Sequence, residues 1–387
     1  QSAIGEHAVA GACRYFAKAD ISDEPKYVEV LIKYFKAAAL VDIATSRLLA
    51  EQGYDCVMFN HGIYVPQGII AEACKKHNVR IVNWNTAYRK KCFIFSHGET
   101  YHHELMSEPN AIWDQMDWDY EKLNNIVTYI ESRSEGRNDW IKFNDNPQID
   151  PLLMKEELKI QTDKKVIGLY TNVMWDAQLH YPSNVFNDML EWVLKTVEYF
   201  SSRPDLILAI RVHPAELTGH LKSRQLVAEK IKEKFPNLPD NIKIIGPENK
   251  MNSYTLAKLC NSVIIYGTKT GVELTSMGIP VIIAGEAWLR GKKIAIEALT
   301  QNDYFKQLDQ LPLENRLSRE TILRAQKYAY HFFFRRMIPL TNINATGGVP
   351  QYNLSITNPK ELHPGRCKGL DVICNGILEG SDFVYDA

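Results

Sequence analysis

The segment IIYGTKTGVELTSMGIPVI (residues 264–282) indicates the architecture of this chain more clearly than any other. An apolar strand over 262–266 is followed by a Gly/Thr/Lys turn, a helix over 270–277 and another apolar strand over 280–284. Strand, loop, helix and strand in this order are typical of a parallel sheet. The segment therefore predicts an α/β fold.

The turn between strand and helix has the composition of a phosphate-binding loop. Gly267 and Gly271 allow a tight turn, and Thr268 and Thr270 supply hydroxyls and a helix cap. Free amides at a helix start suit a phosphate, and Lys269 adds a positive charge. The spacing is not that of a Walker loop. The alternative is a capped helix that follows a buried strand and binds nothing.

The same alternation of strands and helices occurs on both sides of this segment. The N-terminal half predicts a helix over 26–52, a strand over 56–59, a helix over 67–77 and a strand over 80–84. From residue 165 the pattern is more regular, and five short apolar strands predict a doubly wound sheet. Its remaining strands are predicted at 165–170, 206–212 and 242–245, with helices at 185–201, 220–234 and 252–260.

Length and composition describe a folded protein with no charge-driven partner. With 387 residues, the chain is long enough for two domains or three. The balance of 45 Lys and Arg against 46 Asp and Glu gives a net charge of −1, which does not favour nucleic-acid binding. Seven scattered cysteines without a C-x-x-C pair argue against structural zinc and favour a reducing, cytoplasmic location. The chain opens on Gln1, so we expect a fragment of a longer protein.

Polar residues follow two strands of the predicted sheet, where α/β proteins bind ligands. The strand at 206–212 ends in Arg211 and His213-Pro214, and the two basic side chains share a face by period-two alternation. Both can donate to a phosphate oxygen. The alternative for His213 is a surface turn. In the loop TNVMWDA (171–177), Asn172 and Asp176 are candidates for contact with a donor or acceptor, whereas Trp175 fits the core equally well.

Histidines in the N-terminal half are candidates for acid–base chemistry or substrate contact. His61 follows the strand at 56–59 and could deprotonate a hydroxyl near neutral pH, with a structural role as the alternative. The stretch FSHGETYHHELMSE (95–108) carries His97, His102 and Glu104, which we expect to line an acceptor groove. A metal site or an exposed loop are the alternatives there, and no standard metal spacing occurs.

The run HFFFRRM (331–337) lies in a helix that begins after residue 318. A helix buried between domains is one interpretation. An amphipathic segment that contacts anionic lipid is the other, and it would make the protein peripheral at the inner face of a membrane. No apolar run reaches the 18 or so residues of a membrane span.

Three segments resemble the capsule-polysaccharide and lipopolysaccharide biosynthesis glycosyltransferases, a GT-B-type group. They are RVHPAE (211–216), YGTKTGVELTSMGIPVIIAGEAW (266–288) and NHGIYVPQG (60–68). The resemblance covers about residues 5–320 and is strongest over 165–295. The His-Pro pair is similar to the HP motif of bacterial sialyl and Kdo transferases, whose histidine contacts the donor phosphate. The acidic motif that supplies the sialyltransferase base is not recognisable here.

The resemblance implies a GT-B fold: two Rossmann-like parallel-sheet domains facing across a cleft. We expect an acceptor-binding domain at 1–155, a donor-binding domain at 156–318, and a C-terminal helix and tail at 319–387 that return to the first domain. It implies no obligatory metal and no cofactor. The implied partners are a nucleotide-sugar donor and an oligosaccharide or glycolipid acceptor.

The expected reaction moves a sugar from the donor to a hydroxyl of a growing surface glycan. CMP-Kdo and GDP- or UDP-linked hexoses, including 6-deoxy sugars such as fucose, are all compatible donors. Either His61 or Asp176 would deprotonate the acceptor hydroxyl if the enzyme inverts, and Glu273 would bind the ribose or base. A nucleotide-sugar 2-epimerase and a non-catalytic glycan-binding protein are the alternatives. The expected donor and phosphate contacts are Asn172, Arg211, His213, Gly267, Thr268, Lys269, Thr270, Gly271 and Glu273.

Overall fold

The computed structural model describes most of the chain. The described ranges are 3–98, 100–134, 139–140, 147–160, 163–177, 183–219, 221–346 and 351–386.

Two β-sheets, each flanked by helices, form the framework. Helix and strand bounds in the N-terminal part agree with the sequence prediction within two residues where one was made. In chain order this part contains α1 (Ile4–Phe16), α2 (Tyr27–Glu51), β1 (Cys56–Asn60), α3 (Gln67–Lys76), β2 (Arg80–Thr86), β3 (Cys92–His97), α4 (Tyr101–Ser107), α5 (Ala111–Asp114), α6 (Tyr120–Ser134) and α7 (Pro151–Glu157).

The following part alternates strands and helices as predicted, although the helix expected over 220–234 begins only at Val227. Its elements are β4 (Lys165–Tyr170), α8 (Met189–Ser201), β5 (Leu206–Arg211), α9 (Ala215–Thr218), α10 (Val227–Lys234), β6 (Ile242–Ile245), α11 (Ser253–Leu259), β7 (Ser262–Ile265), α12 (Thr270–Ser276), β8 (Val281–Ile283), β9 (Ile296–Glu297) and α13 (Gln301–Asp309).

The C-terminal part crosses back to the first sheet. Its elements are α14 (Arg319–Tyr330), a π-helical turn (His331–Arg335), β10 (Met337–Pro339), β11 (Ile343–Ala345), β12 (Tyr352–Leu354), a 3₁₀ turn (Pro359–Leu362) and α15 (Lys368–Glu379). Strand β10 pairs with β3, and α15 packs on β1 and β10. The predicted return of the tail to the N-terminal sheet is therefore confirmed.

The second sheet is parallel throughout, with the order β6-β5-β4-β7-β8-β9. Its central strands are buried on both faces, which explains their continuous apolar sequences. Tyr170 at the end of β4 is level with Arg211 of β5 and Ile265 of β7. The loops after these three strands consequently meet at one edge of the sheet.

The first sheet is mixed, with the order β1-β2-β3-β10, and this corrects the prediction of two parallel sheets. Strands β1 and β2 are parallel and joined through α3, as predicted. Strand β3 runs antiparallel to β2, and only five residues, 87–91, connect the two. A parallel return requires a crossover of a dozen or more residues, so this short connection permits only a hairpin.

The run at 331–337 is buried where the chain crosses between the sheets. Phe332 and Phe333 are fully inaccessible to solvent and belong to the same apolar core as Val272 of α12 and Ile94 of β3. This confirms the interpretation of a buried segment and excludes a membrane-contacting role for these phenylalanines. Within the described part of the chain, no helix has both the length and the apolarity needed to cross a membrane. The domain boundaries at 155/156 and 318/319 stay predictions.

Candidate active site

A cleft of about 990 Å³ lies where the loops of both sheets meet. Loops after β4, β5, β7 and β8 form its side on the second sheet, and residues after β1 and β2 and from α4 form the other. Most residues predicted for the site are at this cleft. Those on its lining are His61, His102, Asn172, Asp176, Arg211, His213, Gly267, Thr268, Lys269 and Thr270.

His213 is held as a neutral hydrogen-bond donor. Its backbone N–H donates to Thr171 Oγ1 over 3.1 Å, and its ring Nδ1 accepts from the Ala215 amide over 3.1 Å. Burial, with further contributions from Lys269 and Arg211, lowers the pKa of His213 to about 4. A neutral imidazole whose Nδ1 accepts carries its proton on Nε2. This ring can therefore donate to a phosphate oxygen without being charged.

The loop 267–270 reaches the cleft mainly through side chains. The Thr270 amide donates to Thr268 Oγ1 over 3.4 Å, and the Gly271 amide donates to the Thr268 carbonyl. These two amides donate within the turn, so fewer backbone amides than predicted are left to bind a phosphate. Gly271 is not on the lining; a Cβ there would lie 2.5 Å from Leu289, which explains the glycine by close packing. The Thr268 hydroxyl donates to Thr270 Oγ1 over 3.3 Å, so the side-chain donors that remain on the loop are the Thr270 hydroxyl and Lys269.

Glu273 has a different place from the one predicted. It is completely buried beneath the loop and does not line the cleft. Its carboxylate contacts Lys269 Nζ at 3.0 Å and Arg133 Nε at 2.9 Å, and accepts from the Tyr254 hydroxyl at 2.6 Å. Burial alone would raise the pKa of Glu273, but Arg133 and Lys269 hold it below its ordinary value. The carboxylate thus orients two cleft cations and is not exposed to bind a ribose.

Arg211 is also engaged by the protein itself. Its guanidinium donates to the carbonyls of Gly246 at 2.7 Å and Asn249 at 3.1 Å, and to Ser253 Oγ at 3.3 Å. Only 2% of the residue is exposed. Because its donors are directed at the loop between β6 and α11, Arg211 positions that loop and adds positive potential to the cleft. These contacts use three of the five N–H groups of the guanidinium, which limits the bidentate phosphate contact that was predicted.

His61 lines the cleft from the side of the first sheet, in a constrained backbone conformation. Its φ is 74°, a left-handed geometry that is uncommon for a residue with a side chain, and its amide donates to the Trp84 carbonyl. Burial lowers the pKa of His61, and Asp176 opposes the shift. Nδ1 is buried and has no hydrogen-bond partner among the described residues. Proton exchange with a ligand in the cleft would therefore proceed through Nε2.

Asp176 joins the two sides of the cleft. Tyr64, three residues after His61, donates its hydroxyl to Asp176 at 2.6 Å and accepts from the Ala177 amide. Arg14 lies 3.8 Å from Asp176 and over the Tyr64 ring. In the same loop, Trp175 is 6% exposed and donates to Ser223 Oγ, so its interpretation as a core residue is confirmed. Asn172 lines the cleft.

Of the three predicted acceptor contacts, only His102 lies at the cleft. It stacks on Tyr101 and on Trp288, and burial lowers its pKa to about 3. His97 is instead turned toward the C-terminal tail, where its Nε2 is 2.9 Å from the Ser381 carbonyl. Glu104 faces the opposite way, toward Arg336 at 3.1 Å. Neither His97 nor Glu104 lines the cleft, because both pair with the returning tail.

Several residues that line the cleft were not predicted from the sequence. Arg133 on α6 and Tyr254 on α11 meet over Glu273, and Lys269 Nζ lies 4.6 Å from the centre of the Tyr88 ring. Glu286 and Trp288 follow β8 in the quoted GEAW motif, and their position at a strand end could have identified them. Arg133, by contrast, had no local signal. Across the described ranges, no group of three or more His, Cys, Asp or Glu is placed to hold a metal ion.

Fold and site together define an α/β protein of GT-B type: two flanked sheets with a polar cleft at the carboxyl ends of their parallel strands. No protein-family model and no curated protein matches the sequence.

Similar solved structures include two KpsC enzymes of Thermosulfurimonas dismutans. A beta Kdo 2,4 transferase is 11% identical with a TM-score of 0.44, covering 72% of this chain and 80% of its own. A beta Kdo 2,7 transferase is 14% identical with a TM-score of 0.44, covering 81% and 86%. The UDP-GlcNAc 2-epimerase of Neisseria meningitidis, bound to UDP-GlcNAc, is 14% identical with a TM-score of 0.30, covering 77% and 76%. Similarity at this level does not define the activity of this chain.

Proposed function

We propose that this protein is a glycosyltransferase that moves a sugar from a nucleotide-activated donor to a hydroxyl acceptor. One observation carries the proposal: a neutral histidine donor and a Thr/Lys loop at one edge of the second sheet face a second histidine across the same cleft. His213 and Lys269 would contact the donor phosphates, and His61 or Asp176 would meet the acceptor. Glycosyl transfer with inversion needs both functions, one on each side of the bond that breaks.

On the donor side, the chemical task is to stabilise charge that develops on the leaving phosphate. Lys269 supplies a cation, His213 supplies Nε2–H, and Thr270 supplies a hydroxyl. Preorganised donors of this kind are effective because they need no reorganisation during the reaction. Arg133, the third cation near this loop, is oriented by the same carboxylate as Lys269. We therefore propose that the reaction does not require a metal ion.

On the acceptor side, the task is to remove a proton from a hydroxyl. His61 is the proposed base, because its lowered pKa keeps it unprotonated at neutral pH. Asp176 is the second candidate, and the hydrogen bond that it accepts from the Tyr64 hydroxyl fixes its orientation. The face formed by Tyr101, His102 and Trp288 is proposed to bind the acceptor, since stacked rings offer apolar surface to sugar C–H groups.

Nucleotide binding tests the donor side. Calorimetric titration with CMP, UDP and GDP, in buffer containing EDTA, should identify a nucleotide that binds, and a ligand at 100 times its Kd should add about 2.7 kcal/mol to stability. His213→Ala and Lys269→Ala should each weaken this binding about tenfold or more. The exposed His363→Ala and Lys306→Ala are matched controls and should not change it. Binding of no nucleotide by the wild type would refute the proposal.

Product analysis distinguishes transfer from epimerisation. The substrate for this assay is the nucleotide sugar that carries the nucleotide found to bind. A 2-epimerase converts the sugar of this substrate without an acceptor, whereas a transferase needs a glycan acceptor to form product. We expect acceptor-dependent release of the nucleotide, measured by chromatography. Conversion of UDP-GlcNAc without acceptor would replace the proposal by the epimerase alternative.

A further inference from the structure

Most of the charged side chains that line the cleft belong to one of two walls, with Lys90 and the carboxylate of Asp139, which pairs with Arg133, as exceptions. One, the cationic wall, includes Lys269, Arg133 and Arg211, which are connected through Glu273, Tyr254 and Ser253. The other, the carboxylate wall, consists of the loops after β4 and β8. It presents Asn172, Asp176, Asn184, Asn187, Asp188 and Glu286.

In the described part of the carboxylate wall, hydrogen bonds join the two loops. Glu286 Oε2 accepts from the Ser183 amide over 3.0 Å, and the Glu286 amide donates to Asn184 Oδ1 over 2.8 Å. The Val185 amide donates to the Ala284 carbonyl, which fixes this loop against β8. Asn172 Oδ1 is buried and has no partner among the described residues. These contacts order the side chains of Glu286 and Asn184 on the lining of the cleft.

Two arginines lie behind this wall without lining the cleft. Arg14 is 3.8 Å from Asp176, and Arg290 is directed at the carbonyls of Gly285 and Ala298. In the part of the chain that the structure describes, no lysine or arginine lines the cleft on this side. The charged side chains of the described residues on this side are carboxylates, and asparagine amides lie among them.

The loop 267–270 lies where the walls meet. Lys269 belongs to the cationic wall, whereas a Cβ on Gly267 would lie 2.8 Å from the Glu286 carbonyl oxygen on the carboxylate wall. A diphosphate bound at this loop would place its negative charge on the cationic wall. The part of the ligand that follows the diphosphate on the side of Glu286 meets oxygen acceptors. Such acceptors bind hydroxyl donors and repel anions.

Resting on the function proposed above, we infer that the transferred sugar is a neutral, hydroxylated sugar and that Glu286 and Asp188 select against sugar acids. Sugar hydroxyls donate to these carboxylates and to the Asn172 carbonyl oxygen. A sugar carboxylate in the same place meets like charges, because Arg14 is paired with Asp176 and Arg290 donates to backbone carbonyls. The geometry therefore favours neutral hexosyl donors over acidic ones.

Matched donor pairs test this specificity. UDP-glucose and UDP-glucuronate differ only at C6, as do GDP-mannose and GDP-mannuronate. Calorimetry at low ionic strength should give an affinity about tenfold higher for the neutral member of the pair whose nucleotide binds. Higher salt should reduce the ratio. Glu286→Gln keeps the acceptor for Ser183 and should lower the ratio to about threefold, whereas Glu297→Gln, on a carboxylate outside the cleft, should leave it unchanged.

The outcomes separate this inference from the function on which it rests. Equal or tighter binding of the uronate member overturns neutral-sugar specificity while nucleotide binding itself remains. An unchanged ratio in Glu286→Gln overturns the role of that carboxylate. If no nucleotide binds the wild type, the proposed function and this inference both fail.

Discussion

His213 and His61 follow strands of different sheets and face the same cleft, yet they are held in different ways. The His213 ring is fixed by a backbone amide and precedes a proline, which restrains its backbone. The backbone of His61 has a left-handed conformation, and its buried Nδ1 has no hydrogen-bond partner among the described residues. Burial lowers both pKa values, and Lys269 adds to this at His213 while Asp176 opposes it at His61.

This difference suggests a division of work between the two sides. A ring with a fixed tautomer is suited to donate one hydrogen bond repeatedly to a phosphate. A ring in a strained conformation beside a carboxylate is better suited to chemistry, because strain and unpaired polar groups concentrate at functional sites.

The largest effect is expected for His61→Gln. If His61 is the base, kcat should fall by about 10²–10⁴-fold, the usual contribution of a general base, while the Kd for the nucleotide changes little. His213→Gln should instead weaken nucleotide binding. Steady-state kinetics and calorimetry on both variants measure the contrast.

Asp176→Asn and His363→Gln complete this experiment. The first tests the other candidate base, and the second is an exposed histidine in the tail. A kcat loss confined to Asp176→Asn would assign the base to Asp176. Loss of nucleotide binding in His61→Gln would contradict the division between the two sides.

Glu273→Ala should cause the next largest effect, on stability. Its removal leaves Arg133 and Lys269 without their shared buried counter-ion, and breaking a buried pair in this way costs about 3 kcal/mol or more. Glu273→Gln, which keeps the shape, should also destabilise. Urea unfolding measures the free energy of unfolding.

Glu233→Ala is the control for this prediction. Glu233 pairs with Lys230 on the surface, where such a pair contributes about 0–1 kcal/mol. Equal losses in the two alanine variants would show that Glu273 does not hold a buried network.

The sequence predicted the second sheet better than the first for a physical reason. Strands β4 and β6 were located to the residue, because strands of a parallel sheet are continuous apolar runs with clear boundaries. Strand β3 was missed, and its partner β10 lies more than 240 residues away in sequence. Local patterns do not contain such a pairing.

The candidate site shows the same limit. His61, His213 and Lys269 were found because they follow predicted strands, and strand ends meet at one edge. The burial of Glu273 depends on Arg133, and the direction of Glu104 depends on Arg336; both partners come from distant elements. Sequence position therefore identified residues near the cleft without showing which of them face it.

A smaller effect is expected in the pH dependence of stability. The folded pKa of His213 is about 4, below its ordinary value of 6.5, so the folded state resists protonation. The contribution of His213 to the free energy of unfolding is fully present above pH 6.5 and is lost as the pH falls toward 4. This loss amounts to about 2 kcal/mol after allowance for the partial exposure of the ring. The difference between wild type and His213→Gln in urea unfolding, from pH 7 to pH 4.5, isolates this residue.

The same urea-unfolding measurement on His61→Gln compares the pH dependence of stability at the two histidines. Because Asp176 opposes the effect of burial at His61, its pH-dependent difference should have the same sign and be smaller than that of His213→Gln. The exposed His363→Gln should show no difference. A larger effect at His61 than at His213 would reverse the electrostatic order of the two sides.

The smallest effect is expected where the returning tail is attached to the first sheet. Arg80 of β2 donates to the carbonyls of Gly376 at 3.0 Å and Ile377 at 2.6 Å, near the end of α15. These carbonyls have no partner within the helix itself, and a cation is favourable at a helix C-terminus. Arg80→Ala should lower the free energy of unfolding by about 1 kcal/mol and speed limited proteolysis of the tail. Arg80→Lys keeps the charge and should recover part of the loss. Unchanged proteolysis and stability in Arg80→Ala would show that packing of α15, and not this contact, attaches the tail.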